Sequence, residues 1–153
     1  MTTTLRSGMK DGDSRDAAKN ASDRGCLKER KRIIVIDDEP KIRVLFTHVL
    51  TKAGYEAIGF GDNIKAIQYL KDSGHPVDLL LLDLDMPHID GHYFCKMART
   101  RYPGAKIIIA SNYALDVQRY LIGDADGYFE KSDGIQALKQ KVKMALSYRE
   151  QKN

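Results

Sequence analysis

The sequence predicts an α/β fold built on a parallel sheet, in one domain. Three observations predict it. Short apolar runs recur at Ile33-Ile34-Val35-Ile36, Leu79-Leu80-Leu81-Leu82 and Ile107-Ile108-Ile109-Ala110. Runs without polar alternation suit strands buried on both faces, as in parallel sheets. Segments with helical apolar spacing lie between them, so strand and helix alternate five times. The length of 153 residues fits one domain with a single core.

The first strand covers about residues 32–36. Pro40 suits the first turn of a helix, where its missing N–H leaves nothing unpaired. Ile42, Leu45, Phe46, Val49 and Leu50 mark that helix's inner face, and Gly54 stops it. The second strand is at about 55–60, and a helix at about 63–72 turns Ile64, Ile67 and Leu70 inward. The third strand, about 77–82, is the most apolar and is expected at the centre of the sheet. A loop at about 84–90 leads to a helix at about 91–101 carrying Phe94, Met97 and Ala98. The fourth strand is at about 106–110, a weaker helix at about 114–122, and the fifth strand at about 127–130. The last helix, about 133–147, carries Ile135, Leu138, Val142 and Leu146.

The folded domain is thus expected over residues 32–147. Residues 1–31 have almost no apolar side chains, so a disordered N-terminal tail is expected there, and 148–153 are read as a C-terminal tail. The formal net charge is +4, and residues 1–31 hold eight Lys/Arg against five Asp/Glu. The remainder is close to neutral, which argues against nucleic-acid binding by the fold itself. Lys28-Glu29-Arg30-Lys31-Arg32 is a basic cluster read as a solvated lead-in to the first strand. No apolar stretch approaches the roughly 20 residues of a membrane span, and no apolar signal segment opens the chain. A cytoplasmic location is expected. Cys26 and Cys95 have neither metal spacing nor a disulfide pattern and are read as free thiols.

Polar residues sit where the apolar runs end. Asp37-Asp38 follows the first run, Asp83 the third strand, Ser111 the fourth, and Lys131 lies just past the fifth. In open α/β sheets the site lies at the carboxyl ends of the strands. Three carboxylates, a hydroxyl and an ammonium there suit a divalent metal and a phosphoryl group. Mg²⁺ is a hard cation that takes oxygen ligands. Asp38 suits direct ligation, Asp37 a metal-bound water, and the Asp85 carbonyl a further oxygen. Asp83 is the candidate nucleophile, because a carboxylate can form an acyl phosphate. Lys131 and the metal neutralise phosphoryl charge, and Ser111 donates to an attached oxygen.

The segments IIVIDDEPKIR, LLLLDLDMPHIDG, IIIASN and GYFEKS resemble the receiver domain of two-component response regulators, of the stand-alone, CheY-like kind. The resemblance spans about residues 32–147. It implies a single (βα)5 flavodoxin-like, doubly wound domain with a five-stranded parallel sheet of order 2-1-3-4-5. It implies that Asp83 accepts a phosphoryl group from a sensor histidine kinase or a histidine phosphotransfer protein. It assigns Mg²⁺ to Asp37, Asp38, Asp83 and the backbone carbonyl of Asp85. It makes Ser111 and Tyr128 the switch pair and Lys131 the phosphate-binding lysine. Met86-Pro87 and Gly91 match the loop after the phosphorylated aspartate. The implied output is a reshaped face on the last two helices and last strand, read by a downstream protein target. Such a domain catalyses its own phosphorylation and dephosphorylation and is not a turnover enzyme on a separate substrate.

Two features depart from the family pattern. Ser132 follows Lys131 where most members carry proline, and a trans bond is expected there. Ser132-Asp133 offers a cap for the last helix. The stretch from Ser111 to Lys131 is shorter than in most members, so a short or shifted fourth helix is expected. Tyr113, two residues after Ser111, puts a ring beside the phosphoryl group, where it slows water attack. Nothing after residue 147 is long enough for a DNA-binding output domain, so the expectation is output by protein contact from a stand-alone receiver, with a fragment of a larger protein as the alternative.

Two other readings remain open. An unphosphorylated interaction module, a pseudo-receiver, usually lacks an acid or the lysine, and none is lost here. Asp83-Leu84-Asp85 also resembles the D-x-D of haloacid-dehalogenase-like phosphohydrolases. In that family the motif ends the first strand, whereas here it ends the third.

Overall fold

The computed structural model describes residues 29–87 and 90–147. The expected tails, apart from residues 29–31, lie outside these residues, as do Cys26 and His88-Ile89 of the loop motif. The elements are β1 (Arg32–Ile36), α1 (Pro40–Lys52), β2 (Glu56–Phe60), α2 (Asn63–Asp72), β3 (Leu79–Asp83) and α3 (Gly91–Arg101). They continue as β4 (Lys106–Ser111), α4 (Leu115–Leu121), β5 (Gly127–Glu130) and α5 (Gly134–Ser147). Every strand pair is parallel and the sheet order is β2-β1-β3-β4-β5, as expected.

Side chains alternate between the two faces of each strand, so the sheet divides the core in two. Ile33, Val35, Leu79 and Leu81 pack against Phe46 and Leu50 of α1 and Leu138 and Val142 of α5. Ile34, Ile36, Leu80 and Leu82 pack against Ala66 and Leu70 of α2 and Phe94 and Ala98 of α3. β3 is central, and all five of its residues are buried. Asp62 and Asp90 cap α2 and α3 by accepting from backbone N–H groups of the first turn. Gly54, with φ of 96°, closes α1 in a conformation that favours glycine.

Some expectations are corrected. Ile64 is 71% exposed, and Ala66 takes its place in the core. At helical spacing Ile64 lies about 200° from Ala66, on the opposite face. Leu45 is also exposed, one step off the stripe centred on Phe46 and Leu50. The last helix begins at Gly134, and Lys131–Asp133 form a 3-10 turn that absorbs the expected cap residues. β3 and β4 each run one residue further than expected, so Asp83 and Ser111 are strand residues. α4 is short, with seven residues. No cis peptide bond occurs among the described residues, so Lys131–Ser132 is trans as expected. The basic cluster is not wholly a solvated lead-in. Arg32 pairs with Glu56 at 2.9 Å and Lys31 with Asp78 at 3.4 Å, fastening the start of β1.

Candidate functional site

Parallel register brings the strand ends to one edge. Ile36 pairs with Leu82, Asp83 with Ala110, and Ser111 with Glu130. The chain reverses its winding between β1 and β3, the crevice where open α/β sheets bind ligands. Asp37 and Asp38 enter from β1 and Asp83 from β3. Asp37 is 1% and Asp83 2% exposed, while Asp38 faces solvent. Each of the three offers a carboxylate oxygen within 4.8 Å of the others.

Backbone donors hold two of them. The Glu39 N–H donates to Asp37 Oδ1 and the Asp85 N–H to Asp83 Oδ1, each at 2.9 Å. Lys131 Nζ lies 2.7 Å from Asp83 Oδ2 and 2.8 Å from Asp37 Oδ2, with only 6% of its side chain exposed. The first contact is an aligned hydrogen bond. The second is a close ion pair of less favourable angle, so the Lys131 ammonium is the partner of the buried Asp37 Oδ2 as well. Arg43 braces the loop from below, donating to the carbonyls of Asp37 and Asp38 at 2.8 and 3.3 Å. Its side chain lies close to Gly59 of β2 and to Gly61 just beyond the strand: a Cβ on Gly61 would come within 2.6 Å of the guanidinium.

The electrostatics follow from burial. Desolvation pushes the Asp83 carboxyl above the usual aspartate value, against the opposing pull of Lys131 and the Asp85 N–H. Burial pulls the Lys131 ammonium down, but Asp37 and Asp83 outweigh it and raise its pKa. Three carboxylates with oxygen atoms within 4.8 Å of one another, and a single ammonium against two of them, form an oxygen-only donor set that fits a hard divalent cation such as Mg²⁺. Cys95 is a free thiol as expected, and burial pushes it up to about 11, which keeps it protonated.

A second group forms at the end of β4. The buried Ser111 donates its hydroxyl to Asp85 Oδ2 at 3.2 Å. The Asn112 N–H and side-chain amide donate to the same oxygen at 3.3 Å. Tyr128 donates its hydroxyl to the Ile122 carbonyl at 2.5 Å, and the Arg119 guanidinium lies 5.6 Å from its ring centroid. The residues expected from sequence therefore fall into two adjoining sets: Asp37, Asp38, Asp83 and Lys131, then Ser111 with Asp85, which meets Ser111 through its carboxylate, a contact separate from the ligand role expected of its backbone carbonyl. Tyr128 is on the neighbouring strand and is held by the end of α4.

Two contributors were missed. Gln118 of α4 is fully buried and donates to the Tyr113 and Phe129 carbonyls at 2.6 and 3.1 Å. It ties the loop after β4 to β5. Arg43 is the other. A polar residue on the inner stripe of a short helix was the available signal for Gln118, whereas Arg43 carries none without the fold.

A family model for the response regulator receiver domain matches residues 33–143. The chain is 33% identical over 82 residues to the chemotaxis protein CheY of Thermotoga maritima, covering 53% of this chain and 67% of that protein. It is 34% identical over 104 residues to the DNA-binding response regulator MtrA of Mycolicibacterium smegmatis, covering 67% of this chain and 44% of that protein. It is 28% identical over 116 residues to the sensor kinase CckA of Brucella abortus, covering 74% of this chain but 12% of that protein. The chain thus spans less than half the length of these last two. Among solved structures, the response regulator TrrA of Thermotoga maritima, in complex with Mg²⁺-BeF, is 37% identical. Its TM-score is 0.66, with 76% of this chain and 99% of that one covered. A CheY-like receiver domain from Methanospirillum hungatei is 25% identical with a TM-score of 0.72, covering 81% of this chain and 99% of that one. Among the described residues no helix is long and apolar enough to cross a membrane. The chain belongs to the response regulator receiver family, the signalling domain of two-component systems.

Proposed function

We propose that residues 32–147 form a phosphorylation-activated switch of a two-component phosphorelay, with Asp83 as the phosphoryl acceptor. The observation that carries this reading is the buried ion pair of Asp83 with Lys131 beside Asp37, at the ends of β1 and β3. Asp37, Asp38, Asp83 and the Asp85 carbonyl would hold Mg²⁺, which supplies charge neutralisation on the transferring oxygens. The Mg²⁺-BeF complex of the relative TrrA supports that choice of ion.

The donor is a phosphohistidine on a sensor kinase or phosphotransfer protein. An Asp83 carboxylate oxygen forms the bond to phosphorus as the P–N bond breaks, leaving its electron pair on the imidazole. Lys131 already points at Asp83 Oδ2 and is placed to pair with a phosphoryl oxygen. Ser111 then donates to another oxygen, Tyr128 leaves the Ile122 carbonyl, and the α4–β5–α5 face changes for a cytoplasmic protein target. This is a population shift biased by a local charge event. The Asp85 carboxylate is engaged by Ser111 and Asn112 rather than placed as an acid beside Asp83, which favours the switch over a phosphohydrolase.

Transfer from a ³²P-labelled histidine kinase tests the reading. Label moving to the chain in Mg²⁺, and ceasing to move with EDTA, is the expected result. Steady release of phosphate from small phosphomonoesters, lost in Asp85→Asn, is the result that would replace it with hydrolysis.

A further inference from the structure

We infer that the Asp85 carboxylate is a positioning residue that competes with the phosphoryl group for the donors of Ser111 and Asn112. The inference rests on the acceptor role proposed for Asp83. Three donors converge on one oxygen, Asp85 Oδ2: the Ser111 hydroxyl at 3.2 Å, and the Asn112 N–H and side-chain amide at 3.3 Å. The backbone of Asp85 is tied the other way, its N–H donating to Asp83 Oδ1 at 2.9 Å. Asp85 therefore clasps β3 to β4 just beyond their last paired residues, Asp83 and Ala110.

A serine hydroxyl has one proton to give. Ser111 Oγ also accepts from the Tyr113 N–H at 3.2 Å, so its donor proton is the group in contest. While Asp85 holds that proton, no phosphoryl oxygen on Asp83 receives it. Activation exchanges one charge-assisted hydrogen bond for another, and the net of such an exchange is small. The Asp85 clasp thus sets how far the unphosphorylated protein sits from the active arrangement. The incoming phosphoryl charge also repels the Asp85 carboxylate, so the same event builds the rival acceptor and weakens the clasp.

Beryllofluoride with Mg²⁺ serves as the phosphoryl probe, read by ¹⁹F NMR titration. Asp85→Ala is expected to bind it about fivefold more tightly than wild type, within the range of one exchanged hydrogen bond. In a Ser111→Ala background the same substitution is expected to gain less than about twofold, because the Ser111 proton is gone and only the longer Asn112 contacts remain in contest. In protein free of Mg²⁺, the Asn112 amide is expected to exchange faster with solvent in Asp85→Ala. Asp85→Asn removes the charge with little change of shape and is expected to move in the same direction by less, which keeps the test available if the alanine variant folds poorly. Equal gains in both backgrounds would reduce the effect to charge repulsion and overturn the competition, as would no gain or unchanged Asn112 exchange. Wild-type protein that binds no beryllofluoride would overturn the acceptor role and the competition together.

Discussion

Lys131 Nζ donates to Asp83 Oδ2 at 2.7 Å, joining the turn after β5 to the end of β3 across the site. The same ammonium stands 2.8 Å from Asp37 Oδ2, so one cation offsets two buried carboxylates. Removing it leaves both uncompensated, and breaking a buried pair from one side costs about 3–5 kcal/mol. Lys131→Met is therefore expected to lower stability strongly in EDTA. Added Mg²⁺ is expected to raise its melting temperature more than that of wild type, because a cation bound to the native state alone stabilises it. Thermal melts of both proteins with and without Mg²⁺ check this. Equal Mg²⁺ shifts would contradict the shared role of lysine and metal.

Asp126 is a structural ion-pair centre at the other end of the sheet. Its carboxylate accepts from the Ile107 N–H at 2.9 Å and pairs with Arg99 at 3.0 Å and Lys106 at 3.2 Å. Burial pushes its pKa up, but these partners outweigh that and hold it below the ordinary value. A lowered carboxyl pKa stabilises the fold above the unfolded value of about 3.9, and that contribution is lost as pH falls through the folded value. Asp126→Asn is expected to cost about 1 kcal/mol at neutral pH, discounted for its partial exposure. Urea unfolding across pH is expected to show that cost shrinking in acid. A cost independent of pH would contradict the assignment.

Tyr113 is half-exposed, and its N–H donates to Ser111 Oγ. Tyr113 lies two residues after the proposed switch residue, and its ring is expected to cover the approach to phosphorus. Tyr113→Ala is expected to dephosphorylate faster, by about threefold to tenfold if the ring blocks one water path. The decay of phosphorylated protein after donor removal measures this. An unchanged or slower rate would contradict it.

Most of the fold was legible because buried parallel strands print continuous apolar runs. Ile33 to Ile36 and Leu79 to Leu82 have no other good placement, and the polar residues that end them name the functional edge. Asp37, Asp38, Asp83 and Lys131 could be expected to meet before any geometry, because strand ends in one layer converge. Ile64 was misplaced because in a first helical turn apolarity alone does not say which side faces the sheet, and Ala66 looks too small to define a core stripe. Gln118, Arg43 and the Asp85 side chain were illegible for a different reason. Arg43 and Gln118 donate to backbone carbonyls of the loops just before their helices, and Asp85 accepts from donors at the end of β4; none of these contacts leaves a periodic trace in a sequence.

Intact mass after acetyl phosphate treatment is the most direct measurement of the acceptor role of Asp83. Wild-type protein incubated with Mg²⁺ and acetyl phosphate is expected to gain one phosphate, and Asp83→Ala to gain none. A protein that gains no phosphate at any Mg²⁺ concentration, or an Asp83→Ala variant that gains it as readily as wild type, would contradict the account.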